Sequence, residues 1–301
     1  MPPPREDARA LDAGETASDH RHAGSGHEGP IVGKGTARPP VTPRTLLPLP
    51  RGAGLRLPRR RYTRRVTFER ELYDEAYWRG LHPHHWFKNP PRKYAERDRD
   101  VLRVVAPRPD DLVVELGSAR GDVSFLLARH AREVVGVDAA PEALAMAEAA
   151  RAELEVANVR WIQADVADLS PIADGSIDAV AAIDLVEHVD DPTLAAMLRE
   201  CRRVLKPGGR LGIYTPDRAH YVERMKAHDF VLKQFPQHIA VRRVGAYRRF
   251  LAEARFAIDL EAWSVSPFPG VRWIERALAP LPLVGPTFRY RILIRALAPR
   301  E

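Results

Sequence analysis

The chain has 301 residues, 45% hydrophobic and 29% charged, with a formal net charge of +7, a balance that suits one sizeable folded domain with appended segments. Its single cysteine, Cys201, excludes an internal disulfide framework and any multi-cysteine metal site. No run of about 18 apolar residues is present to cross a bilayer, and MPPPREDARALDAGE lacks the apolar stretch of a secretory signal, so the expected compartment is the cytoplasm.

Where the charge sits matters more than its size. Residues 1–70 carry 14 Lys and Arg against 7 Asp and Glu, and the remaining residues carry 33 of each sign. The excess therefore belongs to the N-terminal arm and its cluster Arg59, Arg60, Arg61, Arg64 and Arg65, which reads as a solvated face before it reads as a nucleic-acid contact. Residues 1–60 hold ten of the 27 prolines and no aromatic residue, so they bury too little apolar surface to offset ordering entropy and are expected to be disordered. Residues 61–105 change character, with Trp78, Trp86 and Phe87 among many large rings and then a helical pattern to Val105; they are expected to form an aromatic helical cap. His82, His84 and His85 lie in that segment, but Pro83 breaks helical presentation and no nearby carboxylate completes a ligand set, so no metal is expected there.

Residues 106–301 alternate short apolar runs with helical stretches. LVVEL (112–116), EVVGVD (133–138), NVRWIQAD (158–165), IDAVAAID (177–184) and GRLGIYTP (209–216) read as buried strands. Between them, DVSFLLARHA, a stretch opened by Pro141, and DPTLAAMLRECRRVL read as helices, the last stopped by Lys206-Pro207-Gly208-Gly209. AIDLEAWSV and YRILIRAL read as two more strands, the later one antiparallel. The pattern predicts an α/β fold: a doubly wound, seven-stranded, mostly parallel sheet with an antiparallel edge strand, covered on both faces. Residues 216–249 form an insert expected to shape an acceptor pocket.

Ligands of such sheets sit where the parallel strands end. After the first strand, Gly117 and Gly121 allow close approach of the backbone; after the second, Asp138, 23 residues beyond Glu115, is placed to accept from two ribose hydroxyls. A dinucleotide pattern starting at Gly117 would need glycine at 119 and 122, where Ala119 and Asp122 stand. A pyrophosphate at this turn would also face Glu115 and Asp122, whereas a ligand carrying an ammonium and a sulfonium gains from a carboxylate there, which points to S-adenosylmethionine.

At VVELGSARGD, VVGVDAAPEALAMA, WIQADVADL, DAVAAIDLVEHVDDP and LKPGGRLGIYTP the chain resembles the class I S-adenosylmethionine-dependent methyltransferases, and among them the ubiquinone and menaquinone biosynthesis group. The resemblance covers roughly residues 68–298 and implies a Rossmann-like fold. It implies that Glu115, Gly117 and Gly121 hold the methionine portion, with Ala119 standing where the family usually has its middle glycine, and that Asp138, beside Ala139, holds the ribose. Asp165 with Val166 would contact adenine, and Asp184 with Leu185 would close the site. Methyl transfer from an activated sulfonium asks chiefly for positioning, and for a base if the acceptor is a hydroxyl. His188, after the fourth strand, is one candidate base; a cap or packing contact for the next helix is the competing reading. His238 resembles a position bordering the acceptor pocket in relatives. The expected acceptor is a small molecule, a lipid-linked intermediate or a sugar. The rivals are an RNA methyltransferase using the basic arm and a non-catalytic cofactor-binding protein. The arginine-spaced apolar stretch from Phe268 reads as a packed helix and final strand, with peripheral membrane contact as its alternative.

Overall fold

The computed structural model describes residues 92–228, 235 and 237–300. The arm over 1–60, the aromatic segment before residue 92 and the His82, His84 and His85 group lie outside the described residues. In chain order the described elements are α1 (Arg92–Val105), β1 (Leu112–Leu116), α2 (Asp122–Ala128), β2 (Glu133–Asp138), α3 (Pro141–Glu153), β3 (Val159–Gln163) and β4 (Ile177–Ile183). They continue with α4 (Asp191–Val204), β5 (Leu205–Pro216), α5 (Tyr221–Ala227), α6 (Val244–Glu253), β6 (Ala257–Ser264), α7 (Pro269–Leu278) and β7 (Arg291–Leu297).

The seven strands form one sheet in the order β3-β2-β1-β4-β5-β7-β6. β1 to β5 pair in parallel, and β7 enters antiparallel between β5 and β6. The chain leaves β1 in one direction through β2 and β3, then returns to lay β4 on the other side of β1. Their carboxyl ends therefore diverge at a topological switch point, where a crevice opens.

Alternation along each strand divides the core. Val113, Val134, Ala179 and Ala181 face one cluster with Val101, Val104 and Val105 of α1 and with the buried face of α2. Val114, Val135, Val180 and Ala182 face the other, with Leu194, Met197, Leu198, Cys201 and Val204 of α4 and Tyr247, Phe250 and Leu251 of α6. The α4 residues recur at the spacing of one helical face, and burial of each large apolar side chain contributes about 1.5–3 kcal/mol. Asp190 caps α4 by accepting from the Thr193 amide at 2.9 Å. In β6 the fractional burial alternates residue by residue, as expected for a strand covered on one face.

The Lys206-Pro207-Gly208-Gly209 stop does end α4, but no loop follows. Buried Leu205 already pairs with Ile177, the register shifts before Ala179 pairs with Arg210, and Gly208 takes φ +73° within the bulge. An extra stretch of residues on one strand is accommodated by a left-handed glycine, so a helix-stop signal and a strand start coincide.

Candidate active site

The turn after β1 is built from left-handed residues: Gly117 (φ +67°), Ala119 (φ +47°) and Gly121 (φ +86°). Gly121 precedes α2, whose first turn carries Asp122. A Cβ at Gly117 would lie 2.7 Å from Leu185 Cδ1, so the turn after β1 and the segment after β4 are in contact there. Asp138, at the end of β2 and 8% exposed, accepts from the Ala119 amide on Oδ2 and from the Ala140 amide on Oδ1, both at 2.9 Å. The β2 carboxylate thus holds the strained β1 turn in place. Gln163 Nε2 reaches the Ala139 carbonyl at 3.3 Å, joining the end of β3 to the same rim.

Glu115 is buried in β1 and accepts a short hydrogen bond from Ser124 Oγ on α2. Burial pushes its pKa up to about 8, against the opposing effect of that hydrogen bond. A cation beside it would restore the ionised form. Asp165, after β3, is exposed and accepts from the Ala167 amide, while Val166 beside it is buried.

Asp184 follows β4 with φ +49° and is the electrostatic hub of the other half. Arg97 of α1 donates through Nε and Nη2 to Asp184 Oδ2 at 3.2 Å, and Arg291 Nη1 of β7 stands 3.6 Å from Oδ1. Burial opposes ionisation, but Arg291 and Arg97 together hold the carboxyl below the usual range. Neither arginine is indicated by the sequence motifs, because the partners lie 87 and 107 residues away. The local signal at Arg291 is an arginine opening a strand that is mostly apolar.

A single 3-10 turn over Val186–His188 carries Glu187 and His188. The insert brings His238 against His188, with ring centroids 4.9 Å apart and the rings edge to face. His188 Nδ1 lies 3.0 Å from the Gln237 carbonyl, which can only accept, so Nδ1 carries the proton and Nε2 its lone pair. Burial lowers the His188 pKa, and burial with the neighbouring His188 lowers that of His238 to about 4. Buried Glu187 accepts from Thr215 Oγ1 at 2.9 Å, while its Oε1 and His238 Nδ1 are buried without a hydrogen-bond partner. Burial, then the Asp184 charge, pushes the Glu187 pKa up to about 8. One donor atom from each of Glu187, His188 and His238 lies within 4.8 Å of the others, a set that can hold a divalent cation. Arg242, 7% exposed, locks this corner by donating to the carbonyls of Val186 (2.6 Å) and Val189 (2.8 Å) and to Asp191 (2.8 Å).

Beyond Asp184, a cavity of about 570 Å³ opens between α1, the ends of β5 and β6, the start of β7, and α7. Among the described residues none of 216–249 lines it; the insert instead brings His238 to His188 and Arg242 to the Val186 carbonyl.

Residues 113–209 match the family described as a methyltransferase domain. The chain is similar to ubiquinone biosynthesis O-methyltransferase of Xanthomonas oryzae pv. oryzae, 33% identical over 153 residues, 50% of this chain and 59% of that protein. The same-named protein of Acinetobacter baylyi is 27% identical over 49% of this chain and 60% of its own length. The chain thus spans about three fifths of these relatives. Among solved structures, a protein from Pyrococcus horikoshii OT3 superposes with TM-score 0.54 at 21% identity, over 75% of this chain and 99% of that one. Geranyl diphosphate C-methyltransferase from Streptomyces coelicolor A3(2) superposes with TM-score 0.50 at 21% identity, over 68% and 78%; its structure holds Mg2+, geranyl diphosphate and S-adenosyl-L-homocysteine. At these identities the structural likeness is one of fold. The family match runs from β1 to the beginning of β5 and contains none of the residues lining the 570 Å³ cavity.

Proposed function

We propose that the chain is an S-adenosylmethionine-dependent methyltransferase whose cofactor lies across the ends of β1, β2, β3 and β4. The observation that carries this reading is the carboxylate-rimmed crevice at the switch point: Glu115, Asp138 and Asp184 surround a left-handed Gly117–Gly121 turn. Glu115, Gly117, Ala119 and Gly121 receive the methionine portion, where a buried carboxyl gains from an ammonium and a sulfonium. Asp138, beside Ala139, receives the ribose hydroxyls. Asp165 and the Val166 backbone meet adenine, and Asp184 with Leu185 closes the crevice.

The bound cofactor supplies an activated methyl group; the chain holds an acceptor atom in line with it and excludes water. His188, neutral and with its Nε2 lone pair directed by the Gln237 contact, accepts the proton of a hydroxyl acceptor, and His238 remains neutral beside it. The acceptor is a small molecule or a lipid-linked one. Exposed Trp273, Ile274 and Leu283 on and after α7 favour contact with a lipid surface in the second case. Calorimetric titration with S-adenosylmethionine should show one site, and Asp138→Ala should weaken it at least about 100-fold by removing both the ribose acceptor and the anchor of the β1 turn. Wild-type affinity in that variant would overturn the assignment.

The orphaned Glu187 Oε1 and His238 Nδ1 favour a second reading of the same corner, in which Glu187, His188 and His238 hold a divalent cation that acidifies the acceptor hydroxyl. Zinc or magnesium titration of chelator-treated protein, compared with His238→Ala, decides between base and cation. Binding lost in the variant supports the cation; no binding to the wild type leaves the base.

A further inference from the structure

The cavity beyond Asp184 deepens the methyl-transfer reading, on which its role as the acceptor site rests. Its position follows from a chain of contacts: Leu185 touches Gly117, Asp184 follows β4, and Arg97 and Arg291, both on the cavity wall, bind Asp184. A molecule filling the cavity therefore lies one side-chain layer from the cofactor crevice.

The charge of the walls is unbalanced. Arg97, Arg99, Arg272, Arg276 and Arg291 line the cavity against Glu96 and Asp100. Asp184 is shared between Arg97 and Arg291, and Glu96 between Arg272, which it meets closely, and Arg99 at 3.5 Å. Asp184 and Glu96 thus each face two guanidinium groups. Arg276 instead lies 5.6 Å from the Trp273 ring centroid. The Nε atoms of Arg272 and Arg291 are buried without a hydrogen-bond partner. In a partly enclosed site such an excess attracts an anion and disfavours a cation. Beside Ser264, Val265 and Pro267 the remaining wall is aromatic: Tyr214, Trp263, Phe268 and Tyr290, with the Arg291 guanidinium 4.8 Å from the Tyr290 centroid and 5.7 Å from that of Tyr214. Rings and guanidinium planes together suit a planar or apolar body that ends in an acidic group.

We infer that the acceptor is an organic anion, a carboxylate or phosphate on an aromatic or apolar body, with its acidic group on the Arg272 and Arg276 side of the cavity and its body against Tyr214, Trp263 and Tyr290. The guanidinium groups neutralise the acid while the aromatic wall presents the rest of the molecule towards Asp184.

The test uses the full chain saturated with S-adenosyl-L-homocysteine and titrates benzoate, phenyl phosphate and the neutral benzyl alcohol by calorimetry. At least one acid should bind about tenfold or more tighter than benzyl alcohol, and its affinity should fall as salt rises from about 0.05 to 0.5 M. Benzoate alone or phenyl phosphate alone identifies the acidic group, and both together support the shared chemistry. Arg276→Gln and Arg272→Gln should each weaken the acid at least about fivefold, with unchanged melting temperature and cofactor affinity; Arg276→Lys should retain part of it. Equal binding of benzyl alcohol, indifference to Arg276→Gln, or no binding of either acid overturns the inference. A parallel S-adenosylmethionine titration separates the two readings: acids bound without cofactor would sink methyl transfer and leave an anion site, and cofactor bound without acids would do the reverse.

Discussion

Ala119 occupies a backbone conformation that costs an L-residue about 1–2 kcal/mol, and its amide is held there by Asp138 Oδ2. Ala119→Gly should therefore stabilise the fold by about 1 kcal/mol net of glycine's greater entropy cost, read as a rise of about 2–4 °C in melting temperature. Glu115 gives the other residue-scale prediction. Its folded pKa, about 8, lies above the ordinary carboxyl value, so its contribution to stability is present in full below about pH 4.5 and is lost as pH rises through 8. Glu115→Gln keeps a partner for Ser124 and should flatten the fall in melting temperature between pH 5 and 8; an unchanged slope would assign that fall to other groups. The carboxylates Glu115, Asp138 and Asp184 are legible in the sequence because each stands at a strand end. Their partners are less so. The Asp138 contact is made by a backbone amide, and Arg97 and Arg291 come from distant segments that the fold alone brings to Asp184.

At the scale of elements, the strands stand out because a parallel strand buried on both faces reads as an unbroken apolar run. What the pattern leaves undetermined is where one element lies upon another. Gly212 of β5 shows this: a Cβ there would meet the Val104 carbonyl, Val105 Cα and Val105 Cγ2 at 3.0 Å. Its absence lets α1 lie directly on the sheet, which is how Arg97 reaches Asp184. Gly212→Ala should cost about 1–3 kcal/mol and lower cofactor affinity, and urea unfolding beside calorimetry measures both. Arg242 works similarly for the segment after β4. Arg242→Met should leave the Val186 and Val189 carbonyls without their donor and reduce turnover more than cofactor affinity, since it anchors the turn that carries His188. The cavity, too, is a product of packing. The insert at 216–249 is the natural candidate for an acceptor pocket on sequence grounds, while the cavity beyond Asp184 is walled by α1, α7 and the start of β7, because the chain entering β7 carries Tyr290 and Arg291 to that rim.

For the whole molecule, charge and fold are separable. The positive excess lies in residues 1–70, while the rest is balanced, so its basic character says little about the crevice. Removal of residues 1–60 should leave S-adenosylmethionine affinity within about twofold and abolish any salt-sensitive retention on an RNA column. Salt-dependent loss of substrate binding in that variant would favour the RNA reading. Among the described residues no helix is long and apolar enough to cross a membrane, and Trp273 and Leu283 are exposed.

The placement of β7 has a consequence for truncated chains. The Asp184 carboxylate meets Arg291 through the last strand of the chain, which lies between β5 and β6 and pairs Arg291 with both Pro216 and Ser264. A chain ending before Tyr290 would therefore lose the Arg291 counter-ion of Asp184 and one wall of the cavity together, while keeping the Gly117–Gly121 turn and the Asp138 carboxylate that holds it.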